Sequence, residues 1–252
     1  MTDLWCASRE PDDVDPSAPL VVMVHGSMDR GAAFARVAGH LRDLPTVRYD
    51  RRGYGRSVGL GAPDIEGHAT DLLAIVDERP AVLVGHSLGG LITLAAAARR
   101  PDLVRSMLLF ETPAPWADWW PRRSAGGAAV QTGAPEDAAE AFLRRMIGDE
   151  RWEAFSPGTR SERRAEGAAL LAELRSARAG APFDPSAITV PVVVGRGTES
   201  SAHHLEGAVR LAEALGAPEP FVIEGAGHGA HVSHHSAFAD LVLRAVAVGS
   251  PA

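Results

Sequence analysis

Between residues 20 and 223, short apolar runs alternate with stretches of helical periodicity, the pattern of a parallel sheet wrapped by helices. Residues 20–25, 46–50, 81–84 and 106–110 read as strands. Between them, 33–44, 65–77 and 88–100 read as helices. Phe34, Val37, Ala38 and Leu41 recur at helical spacing, and the third helix stops before Pro101, where proline disfavours a further helical turn. Beyond Phe110 the rhythm breaks. Residues 111–189 offer no convincing strand and two helical stretches, 136–147 and 161–179. Strands resume at 190–194 and 221–223, with helices at 204–215 and 236–248. The spacing predicts a core of residues 1–110 and 190–252, interrupted by a helical cap over 111–189. The residues before Leu20 leave room for one short edge strand, 4–8.

Composition narrows the function classes. The chain has 252 residues with a net charge of −7, which argues against a nucleic-acid partner. No apolar run reaches the ~18–20 residues of a membrane helix, and the N-terminus lacks the basic flank and apolar stretch of a secretory leader. A single cysteine, Cys6, excludes an intrachain disulfide and suits a reducing, cytoplasmic compartment. All 25 basic residues are Arg, so no lysine can act as a nucleophile or Schiff base. Nothing points to a cofactor, and a homodimer is left open.

The chemistry concentrates where the 81–84 strand meets the next helix. Gly85-His86-Ser87-Leu88-Gly89 matches G-x-S-x-G in its strand-to-helix context. A sharp turn there lifts the Ser87 hydroxyl clear of the sheet and sets it over a helix N-terminus, which favours developing negative charge. A Cβ at Gly85 or Gly89 would collide with neighbouring chain. The bland alternative, a structural turn serine in a nucleotide-binding protein, lacks both G-x-G-x-x-G and a P-loop.

Four segments, Val24-His25-Gly26, Asp50-Arg51-Arg52-Gly53-Tyr54-Gly55-Arg56-Ser57, Gly85-His86-Ser87-Leu88-Gly89-Gly90 and Gly225-Ala226-Gly227-His228, together resemble the α/β-hydrolase superfamily in order and spacing. The resemblance covers about residues 20–110 and 185–248. It implies an α/β-hydrolase fold, Ser87 as nucleophile, His228 as its base, and an oxyanion hole built from the backbone N–H groups of Leu88 and Ser27, with Met28 the weaker second choice. A serine here, rather than an aspartate, disfavours the epoxide-hydrolase and haloalkane-dehalogenase chemistries of the same fold, which the resemblance implies pass through an alkyl-enzyme ester and need a carboxylate nucleophile. The resemblance places the usual acid at Ser200, a departure from the pattern. Glu199 lies one residue early. Some members of the fold carry a Glu at the end of the strand after the nucleophile helix, which is Glu111 here. Glu111 is the preferred acid and Glu199 the alternative. Either must accept the base's Nδ1–H and stabilise the imidazolium.

Other histidines complicate the base. His228, His231, His234 and His235 form His-x-x-His-x-x-His-His, which could ligate zinc; the expectation is no metal, with the extra histidines as loop and helix-start residues. His231 is the runner-up base. His25 and His86 flank the site and are read as pocket-wall or hydrogen-bonding residues, and Met28 as a pocket residue. Trp116, Trp119 and Trp120 follow the proposed acid and either wall the pocket or pack the cap onto the body. Trp152 and Phe155 read as cap core. The charged 161–179 helix, with Arg163, Arg164, Glu166 and Arg175, reads as a solvated cap face, and the 50–57 turn as scaffold. The expected activity is cleavage of a small-molecule carboxylic ester or lactone through an acyl-enzyme. Competing readings are a ligand-binding or biosynthetic protein that keeps the fold without hydrolysis, a cofactor-free perhydrolase, and a C–C bond hydrolase.

Overall fold

The computed structural model describes residues 3–13, 15 and 17–250. In chain order its elements are β1 (Cys6–Arg9), β2 (Leu20–Val24), α1 (Ala35–His40), β3 (Thr46–Tyr49), α2 (Ile65–Val76), β4 (Ala81–His86), α3 (Leu88–Arg99), β5 (Val104–Phe110), α4 (Ala125–Ala129), α5 (Pro135–Ile147), α6 (Asp149–Glu153), α7 (Pro157–Ala165), α8 (Gly167–Ala179), β6 (Val192–Gly197), α9 (Ala202–Ala214), β7 (Phe221–Ile223), α10 (Ala230–Ser233) and α11 (His235–Val248). The strands form one sheet in the order β1-β3-β2-β4-β5-β6-β7. Only β1 runs antiparallel, on the edge beside β3, as the room before Leu20 allowed. All other pairings are parallel.

Both faces of the sheet are covered, which is why its central strands are apolar on every residue rather than on alternate ones. Val22, Val24, Leu83, Met107, Leu109 and Val194 pack with α2 and α3. Val21, Met23, Val82, Val84, Leu108 and Val193 pack with α1 and α11 on the other side. A third cluster gathers Met28, Tyr54, Phe142, Leu143, Trp152, Leu170 and Leu174 under the inserted helices, with Phe155 packed against it.

Helices α4 to α8 lie between β5 and β6, where the strand rhythm lapses. Five helices stand where two were expected. The 161–179 stretch is not one solvated helix. It breaks at Glu166, and Gly167 beside the break packs on the start of α5, where a Cβ would lie 1.9 Å from the Pro135 carbonyl oxygen. Glu166 itself is 1% exposed. It accepts hydrogen bonds from the Arg30 guanidinium at 2.8 Å and the Gly55 N–H at 2.9 Å, and so ties the insertion to the body. The 33–44 stretch also shortens. It opens as a 3-10 turn, Gly31–Phe34, and α1 ends at His40.

The 50–57 turn forms the strongest link between insertion and sheet. Arg51 is fully buried and donates to Glu173 on α8 at 2.6 Å, to the His25 carbonyl at 3.0 Å and to the Gly26 carbonyl at 2.9 Å. The Tyr54 hydroxyl donates to the other oxygen of Glu173 at 2.6 Å. The Arg51 guanidinium holds the Glu173 carboxyl down at about 2 against the opposing push of burial. Among the described residues, no helix is long and apolar enough to cross a membrane.

Candidate active site

The register of the central strands brings their C-terminal ends together. Gly85 and His86 lie beside Leu109 and Phe110, and Phe110 lies beside Gly195. The ladder continues past the strands. Ser87 N–H donates to the Phe110 carbonyl at 2.9 Å, and Glu111 N–H to the Gly195 carbonyl at 3.1 Å. Residues far apart in sequence thus stand side by side at one edge, the usual location of ligand sites in open parallel sheets.

Ser87 sits at the turn from β4 into α3 with φ of 52° and ψ of −126°. Gly89 makes that turn possible, since a Cβ there would lie 2.2 Å from the Val24 carbonyl oxygen. Met28 and Glu111 also adopt positive φ, 56° and 48°. Three of the five non-glycine residues with positive φ among those described, the others being Asp77 and Glu78, therefore fall on the loops that surround this edge. Backbone strain of this kind persists only where the surroundings impose it, and it gathers at functional sites.

His228, on the loop after β7, donates from Nδ1 to Glu111 Oε2 at 2.7 Å. Glu111 is fully buried and His228 is 16% exposed. The second Glu111 oxygen accepts the Gly197 N–H at 2.9 Å and the Ser200 hydroxyl. Burial pushes the Glu111 carboxyl up, but these donors and the His228 imidazole outweigh it and hold the carboxyl below its ordinary range. Glu199 is exposed, and only its backbone N–H joins the ladder, to the Ala226 carbonyl at 2.8 Å. Ser200, where an aspartate was expected, instead donates to the carboxylate that arrives from β5. The Ser87 hydroxyl is partly exposed and makes no hydrogen bond among the described residues.

Further imidazoles surround this pair. His204, at the start of α9, stacks on His228 with centroids 4.2 Å apart and planes 8° apart, and its Nδ1 is 3.7 Å from Glu111 Oε2. Burial, then the neighbouring His228 and His203, push His204 far below the ordinary imidazole range, so it stays neutral. In the sequence it was one of two adjacent histidines with no visible partner. His86 donates from Nε2 to the His228 carbonyl at 2.7 Å. His231 meets Asp29 at 2.9 Å, forming a second carboxylate–imidazole pair. Burial pushes the Asp29 carboxyl up, and the His231 hydrogen bond and charge pull it further down, to a net value well below its ordinary range.

The linear histidine motif does not assemble. His228 faces Glu111, His231 faces Asp29, His234 contacts Ser233 at 2.9 Å, and His235 contacts His40 at 2.9 Å. His25, expected as a pocket-wall or hydrogen-bonding residue, is fully buried and takes the second role. Its Nε2 accepts the Arg51 N–H at 3.0 Å and its Nδ1 donates to the Gly26 carbonyl at 2.8 Å, so both nitrogens brace the loop that follows β2. Burial, followed by the Arg51 charge, holds its pKa down at about 3. Met28 is buried in the cluster under the insertion, and Ser27 beside it is half-buried.

The tryptophans divide their roles. Trp120 is 6% exposed and packs edge-on to His203 at 4.7 Å and against His204 at 5.6 Å. Trp119 lies under Arg210 of α9, and Trp116 packs against Phe183. Trp116 and Trp120 also line a cavity of about 400 Å³ with Arg122 and Arg178. All three rings thus take part in packing, and Trp119 does not line this cavity.

A sequence model described as Alpha/beta hydrolase family matches residues 21–241. Lipase LipV of Mycobacterium tuberculosis is 34% identical over 137 residues, 53% of this chain and 52% of that protein. The pimeloyl-[acyl-carrier protein] methyl ester esterase of Chromobacterium violaceum is 40% identical over 146 residues, 52% of this chain and 54% of that protein. The chain thus spans about half the length of these curated relatives. Among solved structures, the enol-lactonase of Burkholderia xenovorans LB400 superposes with a TM-score of 0.71 at 25% identity, covering 97% of this chain and 96% of that one.

Proposed function

The chain belongs to the alpha/beta hydrolase family, and on that premise we propose that it cleaves a small-molecule carboxylic ester or lactone through an acyl-enzyme, with Ser87 as nucleophile, His228 as base and Glu111 as the acid. The observation that carries this reading is the shared edge of β4 and β5. A serine held at φ of 52° over a helix N-terminus stands one strand from a buried carboxylate already bonded to an imidazole.

In the proposed reaction Ser87 Oγ attacks the carbonyl carbon and its proton passes to His228 Nε2. Glu111 holds Nδ1–H and stabilises the imidazolium. The carbonyl oxygen becomes an alkoxide that meets the backbone N–H groups of Leu88 and Ser27. Hydrogen-bond donors aimed at that charge are usually the largest single contribution to such catalysis. The imidazolium then protonates the leaving alkoxide, which departs as alcohol from an ester or stays tethered to the acyl group from a lactone. Water repeats the sequence in reverse and frees Ser87. Esterases, a lipase and an enol-lactonase among the similar proteins support the substrate class. The inserted helices, read as a lid over 111–189, and the cavity beside Trp116 and Trp120 are assigned to the non-reacting part of the substrate.

The test is a panel of p-nitrophenyl esters of increasing acyl length together with lactones of several ring sizes. The purified chain is expected to hydrolyse at least one class, and Ser87→Ala to lower kcat by about 10³-fold or more. Turnover that survives in Ser87→Ala overturns the reading.

A further inference from the structure

The reaction above makes no use of three side chains beneath it: Asp29 on the loop after β2, His86 at the end of β4, and His231 in α10. Each offers one ligand atom, and the three atoms lie within 4.8 Å of one another. His86 and His231 are 4% and 3% exposed, and their rings pack with centroids 4.1 Å apart.

Hydrogen bonding fixes which nitrogen of His86 is spare. The His228 carbonyl can only accept, so His86 carries its proton on Nε2. Its Nδ1 is then a bare lone pair, buried and without a hydrogen-bond partner among the described residues. His231 presents Nε2 to Asp29 at 2.9 Å, and an ion seated between them would take the place of the proton they share, the ring then carrying its proton on the buried Nδ1. A ring that donates one N–H to a backbone carbonyl and leaves the other nitrogen bare is oriented as metal-ligating histidines are.

We infer that Asp29, His86 and His231 form a binding site for a divalent transition cation of the zinc class. Two imidazoles and one carboxylate suit such an ion, and three protein ligands leave a fourth position open. Ligands on a tetrahedral zinc at 2.0–2.1 Å stand about 3.3 Å apart. Closing the cluster on an ion therefore asks for shifts of about 1.5 Å at most. The other group of this kind, Glu111, His204 and His228, is a poorer host. Both of its carboxylate oxygens are already engaged by His228, Gly197 and Ser200. The inferred site lies outside the linear histidine motif, sharing only His231 with it.

Occupancy would join three separate segments. Asp29 follows the proposed oxyanion residue Ser27, His86 precedes Ser87, and His231 lies three residues past His228. An ion there cross-links the segments that carry the site without touching the reacting atoms.

The test uses EDTA-treated full-length protein titrated with Zn²⁺ by calorimetry and with Co²⁺ by visible absorption, in a Ser87→Ala background so that hydrolysis plays no part. One Co²⁺ per chain is expected, with the intense bands of a four- or five-coordinate ion, and Zn²⁺ is expected to raise the thermal midpoint. Asp29→Asn and His231→Gln are each expected to weaken binding at least about tenfold, while His204→Gln leaves it unchanged. Asp29 is 27% exposed, so Asp29→Asn carries the comparison alone if His231→Gln does not fold. No binding tighter than about 1 mM, an affinity in Asp29→Asn equal to that of the Ser87→Ala parent, or loss of binding in His204→Gln overturns the inference.

Discussion

Replacing Glu111 by Gln changes one atom type and no volume, and the structure dictates which way the new amide turns. The Gly197 N–H, 2.9 Å from Oε1, belongs to the backbone and cannot turn away. It requires an oxygen opposite. Presenting the amide nitrogen there would leave a buried donor facing a donor, at a cost of about 1–3 kcal/mol. The amide nitrogen therefore takes the Oε2 position, 2.7 Å from His228 Nδ1, and donates to it. His228 Nδ1 must then accept, so the ring's proton moves to Nε2, the atom that has to receive the Ser87 proton. Forcing this tautomer on a serine hydrolase base lowers kcat by about 10⁴-fold, or ~5 kcal/mol of barrier. Steady-state kcat on the best ester of the panel measures the effect, and ¹⁵N chemical shifts of the imidazole report the tautomer directly. Glu199→Gln, at an exposed side chain, is expected to retain kcat within about threefold. The reasoning fails if Glu111→Gln keeps kcat within tenfold while Glu199→Gln loses orders of magnitude.

Three further outcomes follow from packing and charge. Arg51→Met leaves the fully buried Glu173 carboxylate unpaired and is expected to cost about 3–5 kcal/mol in urea unfolding; a loss under 1 kcal/mol contradicts the clamp between turn and insertion. Gly89→Ala drives a Cβ onto the Val24 carbonyl, where backbone cannot yield, and is expected to lower stability by about 1–3 kcal/mol or more and abolish turnover; near-normal kcat and thermal midpoint refute this. Acid should destabilise the fold early. His25 titrates at about 3 when folded against 6.5 ordinarily, so only the unfolded chain binds that proton as pH falls from 6.5 toward 3. His68 and His86 are depressed in the same direction, chiefly by burial. Each group contributes a loss of up to about 1.4 kcal/mol per pH unit within its window. Glu173, at about 2 against 4.5, adds stability above 4.5 that is lost as pH falls from 4.5 toward 2. Urea unfolding that is unchanged between pH 7.5 and 4.5 would rule out the buried neutral histidines.

What could be read from sequence was what neighbouring residues decide. The Ser87 turn is written in five consecutive residues, and the strand ends follow from apolar runs, which put Glu111 directly after Phe110 at the sheet edge. What escaped depends on residues remote in the chain. His231 and Asp29 are 202 positions apart, and Arg51 and Glu173 are 122 apart. Nothing local marks Glu166 as buried, since its partners are Arg30 and Gly55. The glycine beside the helix break has the same origin, because Gly167 is needed only where Pro135 crosses it. For His25 the local sequence left pocket wall and hydrogen bonding both open, because the partner that decides between them, the Arg51 backbone N–H, lies 26 residues away.

The most direct measurement is intact mass after treatment with a fluorophosphonate, followed by peptide mapping. The account predicts a single adduct per chain, located on Ser87, formed at a rate that falls by orders of magnitude in His228→Ala and vanishes in Ser87→Ala. An unmodified wild-type chain, or an adduct that persists in Ser87→Ala, would contradict it.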